Sequence, residues 1–266
     1  MLRCASLTLL LALALVAPAT AGQWERTYPI TGRPELVLRT DDASVHVTTW
    51  DRRAVGLRVT TQGWDIGGAR GLSVQAAQTG NRVELEVREP RFRWNLQFGH
   101  RHRWTRIEVS VPRDGDLDVT TGDGAIEADG LRGDLHLLTS DGHIEATGLD
   151  GALEARSGDG GLRLEGRFDR LEVSTSDGRV VATALEGSRL ASAWSLRSGD
   201  GSVSLRVPST LRADLDLHTG DGDLWVGLPV ETSGRFVRHT LRGRMNGGGP
   251  LLEMRSGDGS IRVEGL

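Results

Sequence analysis

The stretch Ser157-Gly158-Asp159-Gly160-Gly161-Leu162, SGDGGL, decides the fold because nearly the same six residues occur seven times in the chain. Each copy begins with threonine or serine, continues with glycine or serine, and then carries an Asp-Gly pair. The aspartates are Asp123, Asp141, Asp159, Asp177, Asp200, Asp221 and Asp258. Their successive spacings are 18, 18, 18, 23, 21 and 37 residues. A period that holds for three steps and then tolerates insertions indicates a repeat architecture.

Apolar and polar residues alternate on both sides of each turn. The positions six and four residues before the aspartate are apolar in every copy, and the positions three and five after it are apolar or small. In the third copy these residues are Leu153, Ala155, Leu162 and Leu164. Period-two alternation turns one face of a strand inward. Each copy therefore predicts two short strands joined by an Asp-Gly turn.

The even spacing distinguishes between the folds that such a turn can serve. An Asp-Gly turn between alternating strands is typical of a β-hairpin, but one turn per repeat at one phase places equivalent residues above each other in a coil. Each coil then buries its inner face against neighbours about 4.8 Å away. A left-handed hexapeptide helix is excluded because the residue six after Leu153 is Asp159, not an aliphatic residue.

The sequence therefore predicts an all-β fold, a parallel two-sheeted β-solenoid of about eight coils with an 18-residue period. Parallel crossovers favour a right-handed coil. The second turn of each coil is expected at stretches such as residues 148–151. An eighth, degenerate coil is predicted from residues 36–50, with Ala43 in place of the glycine that follows the aspartate.

Insertions interrupt the repeat at three places. Residues 51–110 predict extra strands or hairpins that elaborate the N-terminal end. Shorter insertions are predicted at residues 182–193 and 227–250. The last coil runs almost to Leu266, which predicts an exposed solenoid end with free strand edges. Self-association through that end is a hypothesis.

The first 21 residues have the composition of a secretory signal. One positive charge precedes an apolar run from Leu7 to Ala17, and a small-residue triplet ends at Ala21. We therefore expect an exported protein, periplasmic or at the cell surface, whose single domain spans residues 22–266. The only cysteine, Cys4, lies within the expected leader. The whole chain has a net charge of −4, which disfavours general nucleic-acid binding.

The turns carry a family resemblance over roughly residues 29–266. With seven [ST]-[GS]-D-G turns, the chain resembles bacterial families of adhesin candidates that are built from β-strand repeats. The resemblance implies a β-solenoid with a role at the surface or in the envelope. It implies no catalytic residues.

The turn residues have a structural interpretation and a metal-binding alternative. The glycines that follow the aspartates are expected to supply positive φ or a close approach of two backbones, and the aspartates to accept a hydrogen bond from the backbone N–H two residues on. No cofactor is predicted. The alternative is a Ca²⁺ ladder, since stacked carboxylates repel by about 1 kcal/mol even in water, although each coil offers fewer than the roughly six to eight oxygens that Ca²⁺ prefers.

Signatures of common enzymes are absent from the sequence. It contains no G-x-S-x-G, no H-E-x-x-H and no phosphate-binding loop. We therefore predict a protein that is not an enzyme. The alternative is a glycan hydrolase or lyase that uses two of the stacked aspartates as a carboxylate pair.

One segment departs from the repeat in composition. Residues 88–106, REPRFRWNLQFGHRHRWTR, interleave six arginines with four aromatic residues and contain a single acidic residue, Glu89. Arginine pairs with phosphate and carboxylate, and aromatic faces stack on sugars or guanidinium groups. The candidate ligand-binding residues are Arg91, Arg93, Trp94, Arg101, Arg103 and Trp104. The alternative is a purely structural hairpin, whose aromatic rings cover the edge of the core while its arginines are solvated.

The functional prediction follows from these features together. It is a non-catalytic, extracytoplasmic, adhesin-like binding or scaffold protein of the bacterial envelope. Its expected partner is an anionic envelope glycan, a lipid headgroup or an acidic protein, recognised through the segment at residues 88–106.

Overall fold

The computed structural model describes residues 22–68, 71–90, 103–232 and 239–266. These residues form strands and no helix. The strands are β1 Gly22–Pro29, β2 Glu35–Thr40, β3 Ser44–Trp50, β4 Ala54–Gln62, β5 Ser73–Thr79, β6 Arg82–Arg88, β7 Trp104–Pro112, β8 Asp116–Thr121, β9 Ile126–Asp129, β10 Arg132–Thr139, β11 Ile144–Arg156, β12 Leu162–Thr175, β13 Val180–Ala184, β14 Trp194–Ser198, β15 Val203–Val207, β16 Ala213–Thr219, β17 Leu224–Val226, β18 Val230–Thr232, β19 Thr240–Met245, β20 Leu251–Ser256 and β21 Ile261–Gly265.

The regular repeats stack in parallel and in register. Leu117 pairs with Leu135, Leu135 with Leu153, and Leu153 with Leu171. All four side chains are buried. This is the parallel stacking that the phase of the turns predicts, and it excludes a hairpin across the Asp-Gly turn.

The strands lie in two rows, one before and one after the Asp-Gly turn. The row before the turn runs β5, β6, β2, β8, β10, β11, β12, β14, β20, β16, β19, β18. The row after the turn runs β1, β4, β7, β3, β9, β11, β12, β13, β15, β21, β17. The long strands β11 and β12 belong to both rows, so the strands form one continuous sheet.

In the coils of β11 and β12 the second corner is a bend within one strand. Where the sequence predicts a turn at residues 148–151, β11 continues through the corner. Its register against β12 shifts between Ala146 and Leu149 and again after Gly151. Gly148 has a φ of 63°, a left-handed conformation that glycine adopts without steric cost. The strand therefore changes rows while its pairing continues on both sides of the bend.

Chain order and stacking order differ at the C-terminal end. Strands β20 and β21 lie between β14–β15 on one side and β16–β17 on the other. Leu252, Met254, Ile261 and Val263 are fully buried there. The prediction that the last coil forms an exposed end for self-association is therefore wrong. The reason is the insertion after β17. Its strand β19 pairs antiparallel with β16, and β18 pairs antiparallel with β19. After β19 the chain returns to the position between β14 and β16, where β20 lies.

The N-terminal end is closed by antiparallel strands. The degenerate coil is confirmed, because Leu36 pairs with Leu117 and Val45 with Ile126. Outside it, β6 and β7 stack in parallel on β2 and β3. Strand β5 then covers β6, and β4 and β1 cover β7, all antiparallel. The inserted residues 51–110 therefore supply both the outermost parallel strands and most of the cap.

Candidate functional site

A row of buried hydroxyls runs along the Asp-Gly corner. The Thr139 hydroxyl lies 2.8 and 3.0 Å from the carbonyl oxygens of Gly122 and Gly124, to which it donates, and it accepts a hydrogen bond from the Gly142 N–H at 3.1 Å. Seven such hydroxyls are buried and donate to a carbonyl of the neighbouring coil: those of Thr121, Thr139, Ser157, Thr175, Ser198, Thr219 and Ser256. This row closes the turn and joins the coils.

The glycines after the aspartates serve the close approach of two backbones. None of the seven has positive φ. A Cβ atom on Gly160 would overlap the carbonyl oxygen of Gly142, and the same overlap would occur at the other six: Gly124, Gly142, Gly178, Gly201, Gly222 and Gly259. Of the two roles expected from the sequence, only the close approach is found.

The seven aspartates lie in one row and are exposed. Their backbone amides donate to the neighbouring coil, as that of Asp159 does to Ser140 at 3.2 Å. No hydrogen bond joins their carboxylates to the backbone N–H two residues on, so the predicted Asx-turn is wrong. The physical reason is that the threonine or serine hydroxyl already provides the acceptor at the corner. In the part of the chain that the structure describes, no group of three or more His, Cys, Asp or Glu side chains could hold a metal ion.

The arginine-aromatic segment replaces the Asp-Gly turn of the outermost N-terminal coil, because β6 and β7 flank it. The candidate residues Arg91, Arg93, Trp94 and Arg101 lie outside the described residues. The other two candidates, Arg103 and Trp104, lie at the base of the segment, where β7 begins.

Guanidinium groups stack on tryptophan rings at this base. The Arg103 guanidinium lies 4.2 Å from the centroid of the Trp64 ring, and the Arg106 guanidinium lies 5.9 Å from that of Trp104. Trp104 is 43% exposed, and its Nε1 donates to the Gln62 side chain at 2.6 Å. The base of the segment therefore presents rigid aromatic surface together with cations.

Carboxylates accompany these cations. The Glu89 N–H donates to the Asp41 carboxylate at 2.8 Å. Burial and the nearby Asp42 and Asp41 raise the pKa of Glu89, while Arg103 lowers it. The base of the segment is therefore not uniformly positive.

A second concave surface lies on the outer face of β1, β4, β7 and β3. We call it the Trp50 groove, and it has a volume of about 380 Å³. Its polar side chains include Arg58, whose guanidinium lies 3.3 Å from both the Glu25 and the Glu108 carboxylates. His46 also lines the groove and lies 2.9 Å from Glu127.

The Trp50 indole is seated on a glycine. Its Nε1 donates to the carbonyl oxygen of Ala54 at 2.8 Å, and a Cβ atom on Gly56 would lie only 2.6 Å from Cη2 of the indole. The Arg52 guanidinium lies 5.1 Å from the ring centroid. No sequence pattern discussed above predicts this groove. The available signals were a glycine within an alternating strand and the pattern Trp-x-Arg, which occurs at Trp24, Trp50 and Trp104.

Stacked parallel strands, joined by a row of buried hydroxyls at one corner, define an all-β, solenoid-like repeat protein. Residues 34–226 match the family described as Toastrack DUF4097. The chain therefore belongs to this family, and the resemblance seen in the Asp-Gly turns is confirmed. The match begins just before β2 and ends with β17.

Solved structures with a similar fold come from several bacteria. They include a candidate cell adhesion protein of Clostridium sporogenes (9% identity, 93% of this chain and 100% of that chain covered, TM-score 0.42). An adhesin candidate of Bacteroides fragilis has 12% identity, coverage of 93% and 99%, and a TM-score of 0.46. A candidate lipid-binding protein of Parabacteroides distasonis has 13% identity, coverage of 91% and 96%, and a TM-score of 0.43. No curated protein matches the chain.

Within residues 22–68, 71–90, 103–232 and 239–266, no helix has the length and apolar character needed to cross a bilayer.

Proposed function

We propose that this chain is a non-catalytic, extracytoplasmic binding and scaffold protein of the bacterial envelope, which recognises anionic material through residues 88–106. The observation that carries the proposal is the stacking of Arg103 on Trp64 and of Arg106 on the exposed Trp104. Arginine pairs bidentately with phosphate and carboxylate, and stacking on an aromatic face helps to fix the position of its guanidinium. Arg91, Arg93, Trp94 and Arg101, which lie outside the described residues, are included in the proposed site because they belong to the same segment of the sequence.

The uniformity of the Asp-Gly corner favours a scaffold role over catalysis. A carboxylate pair that catalyses glycan cleavage needs two environments that hold one group protonated and the other ionised. Asp141 and Asp159 occupy equivalent exposed positions on successive coils, each beside the same hydroxyl and glycine. This equivalence favours a scaffold role, in which the hydroxyl and the glycine of each corner join successive coils.

Three finer points belong to this proposal. We expect export, directed by residues 1–21, to the periplasm or the cell surface. We also expect a right-handed solenoid with about eight coils, and an 18-residue period in its regular part. An experimental structure of residues 22–266 would test the handedness and the number of coils.

Vesicle binding tests the recognition of anionic material. Residues 22–266 should bind phosphatidylglycerol-containing vesicles more tightly at 50 mM than at 500 mM NaCl, and should not bind pure phosphatidylcholine vesicles. The salt dependence is expected because attraction between charges at a surface is screened by salt. Replacing Arg91, Arg93, Arg101 and Arg103 by serine should abolish this binding and leave the melting temperature nearly unchanged.

A matched control removes the same charge elsewhere. Arg163, Arg170, Arg179 and Arg212 are exposed and lie outside residues 88–106, and their replacement by serine should leave vesicle binding largely intact. Equal loss in both variants would show that only net charge matters, and it would contradict a site in this segment.

A glycan panel tests the enzyme alternative. We expect no turnover by the wild-type chain. Turnover that is lost in the double variant Asp141→Asn, Asp159→Asn, with the fold intact, would overturn the non-catalytic proposal. A melting temperature that rises with Ca²⁺ and falls with chelator would favour the cation ladder.

A further inference from the structure

The Trp50 groove is formed by two transverse rows of outward side chains. In the first row, Glu25 is opposite Arg58, Arg58 opposite Glu108, and Glu108 opposite His46. These residues come from four strands, and Glu25, Arg58 and Glu108 lie tens of residues apart in sequence. Cross-strand neighbours on one face lie about 5 Å apart, so the first row is a continuous band of hydrogen-bonding groups.

The second row contains a gap. Thr27 is opposite Gly56, Gly56 opposite Ser110, and Ser110 opposite Thr48. Because Gly56 has no side chain, the row is open at β4, and the Trp50 indole lies in this opening. The groove therefore has an aromatic surface on one side and the charged band on the other.

The charges of the groove are balanced. Arg58 lies between two carboxylates, those of Glu25 and Glu108, and the hydrogen bond that Arg58 donates to Glu25 is the main cause that raises the pKa of Arg58. The cations Arg52 and Arg58 thus match Glu25 and Glu108 in number. A balanced set of this kind does not favour a charged ligand, in contrast to residues 88–106.

The donors and acceptors suit a ligand that is rich in hydroxyl groups. Carboxylates accept hydrogen bonds from O–H groups, and a guanidinium donates to oxygen in a planar fork. An aromatic face packs against an apolar surface such as the C–H side of a pyranose ring. The volume of about 380 Å³ lies within the ~300–1,000 Å³ that is usual for small-molecule sites.

We propose that the Trp50 groove binds a neutral pyranose unit of an oligosaccharide, with a sugar ring against the Trp50 indole and its hydroxyl groups at Glu25, Arg58 and Glu108. This binding goes beyond the proposed function, since it uses another surface and another ligand chemistry. It requires neither residues 88–106 nor an anionic partner.

Titration with defined sugars tests the inference. The probes are the hexamers of β-1,4-linked glucose, β-1,4-linked N-acetylglucosamine and β-1,4-linked mannose, with the α-1,4-galacturonic acid hexamer as the charged comparison. Calorimetry on residues 22–266 should show binding of at least one neutral hexamer, with the same affinity at 50 and 500 mM NaCl. Tighter, salt-sensitive binding of the galacturonic acid hexamer alone would overturn the assignment of a neutral ligand.

Variants locate the binding in the groove. Trp50→Ala should lower the affinity at least tenfold. The matched control is Trp225→Ala, because Trp225 is 47% exposed and carries the Arg262 guanidinium at 5.3 Å from its ring centroid, yet lies at the opposite end of the row of strands. This control should bind like the wild type. A folded Trp50→Ala variant with wild-type affinity would overturn the inference.

A second variant guards against loss of folding. Gly56→Ala places a methyl group against the indole and removes no ligand contact, so it should weaken binding several-fold by displacing Trp50. The serine variant of Arg91, Arg93, Arg101 and Arg103 should retain sugar binding. Failure of vesicle binding would thus leave the groove intact, and absence of binding to every neutral hexamer at 10 mM would overturn the groove alone.

Discussion

The regular middle of the solenoid and its C-terminal end use the same repeat, but the chain passes through them differently. In the middle, Leu135 and Leu153 occupy successive coils in chain order. At the end, Leu252 lies between Trp194 and Leu215, although it follows both in sequence. The local chemistry is nevertheless the same in both regions. The repeat therefore specifies how two coils pair, while the connecting segments decide which coils become neighbours.

The Asp-Gly corner has the same hydrogen bonds in both regions. The Ser256 hydroxyl donates to the carbonyl oxygen of Gly201 at 2.9 Å, as the Ser157 hydroxyl does to that of Gly142 at 2.9 Å. The coil formed by β20 and β21, here called the inserted coil, therefore makes the same contact with its neighbour as a coil in the middle of the solenoid. Four experiments test whether the two regions depend on the same contacts.

Removal of the inserted coil should have the largest effect. Deleting residues 250–266 leaves β14 and β16 without the strand between them and removes four fully buried side chains. Each contributes about 1.5–3 kcal/mol, and the sum approaches the whole ~5–15 kcal/mol stability of a domain. We expect far-UV circular dichroism to show lost strand content and proteolysis to cleave within residues 194–245.

The deletion can be complemented to test the order of the coils. A synthetic peptide of residues 250–266 should restore protease resistance to the shortened chain, because β14 and β16 are still present and can pair again with the added strand. A shortened chain that melts at the wild-type temperature without the peptide would contradict the insertion of β20 and β21.

The glycine ladder should be next in effect. Gly160→Ala places a Cβ atom into the carbonyl oxygen of Gly142, whereas Cβ on Gly161 would meet only the Arg179 carbonyl oxygen at an ordinary 3.5 Å. Since backbone must move, we expect Gly160→Ala to cost about 3 kcal/mol of unfolding free energy, and Gly161→Ala less than about 0.5 kcal/mol. Urea unfolding measures both, and equal costs would refute the close approach of the coils.

The hydroxyl row should matter more than the aspartate row. Thr139→Val leaves the Gly142 N–H and the Gly124 carbonyl oxygen without this hydroxyl partner, at a cost of about 2 kcal/mol. The Gly122 carbonyl oxygen still accepts from the Ser140 N–H. Thr139→Ser should keep most of this free energy, because serine retains the hydroxyl. Asp141→Asn should change the free energy of unfolding by less than about 0.5 kcal/mol. Urea midpoints decide the matter. A larger loss of unfolding free energy in Asp141→Asn than in Thr139→Val would show that the carboxylate, and not the hydroxyl, stabilises the turn.

An ion pair of the inserted coil should give the smallest effect. Glu253 accepts from Arg197 on β14 at 2.5 Å. This hydrogen bond lowers the pKa of Glu253 below its ordinary 4.5, partial burial opposes the shift, and Arg255 adds to it. A carboxyl with a lowered folded-state pKa stabilises the fold above its unfolded-state pKa and loses this contribution as the pH falls through the folded-state pKa.

The consequence can be read from melting temperatures. Glu253→Gln should lower the melting temperature by about 2–4 °C at pH 7, which corresponds to about 1 kcal/mol in a chain of this size. The difference from wild type should shrink to nothing as the pH falls well below 4.5. A difference that stays constant down to pH 2 would show that the glutamate contributes through packing instead of charge.

Much of the fold was determined by the sequence alone. The phase of the Asp-Gly pairs predicted parallel stacking, and the alternation around Leu153 and Leu162 predicted which side chains are buried. Even the degenerate coil with Ala43 was identified. These features are local, because side-chain direction alternates along a strand and a glycine is required wherever two backbones approach this closely. One repeat therefore contains the information for its own contacts.

The tertiary structure alone decided the order of the coils, the acceptor at the corner and the Trp50 groove. Nothing in residues 227–250 states which strand edge the returning chain will meet. Whether Thr139 or Asp141 closes the turn depends on carbonyl groups of another coil. The groove joins Glu25, Arg58 and Glu108 across strands that are tens of residues apart. The physical reason is common to all three. The path of the connecting segments decides which strands become neighbours in the sheet, and the alternation of apolar and polar residues within one strand contains no information about that path.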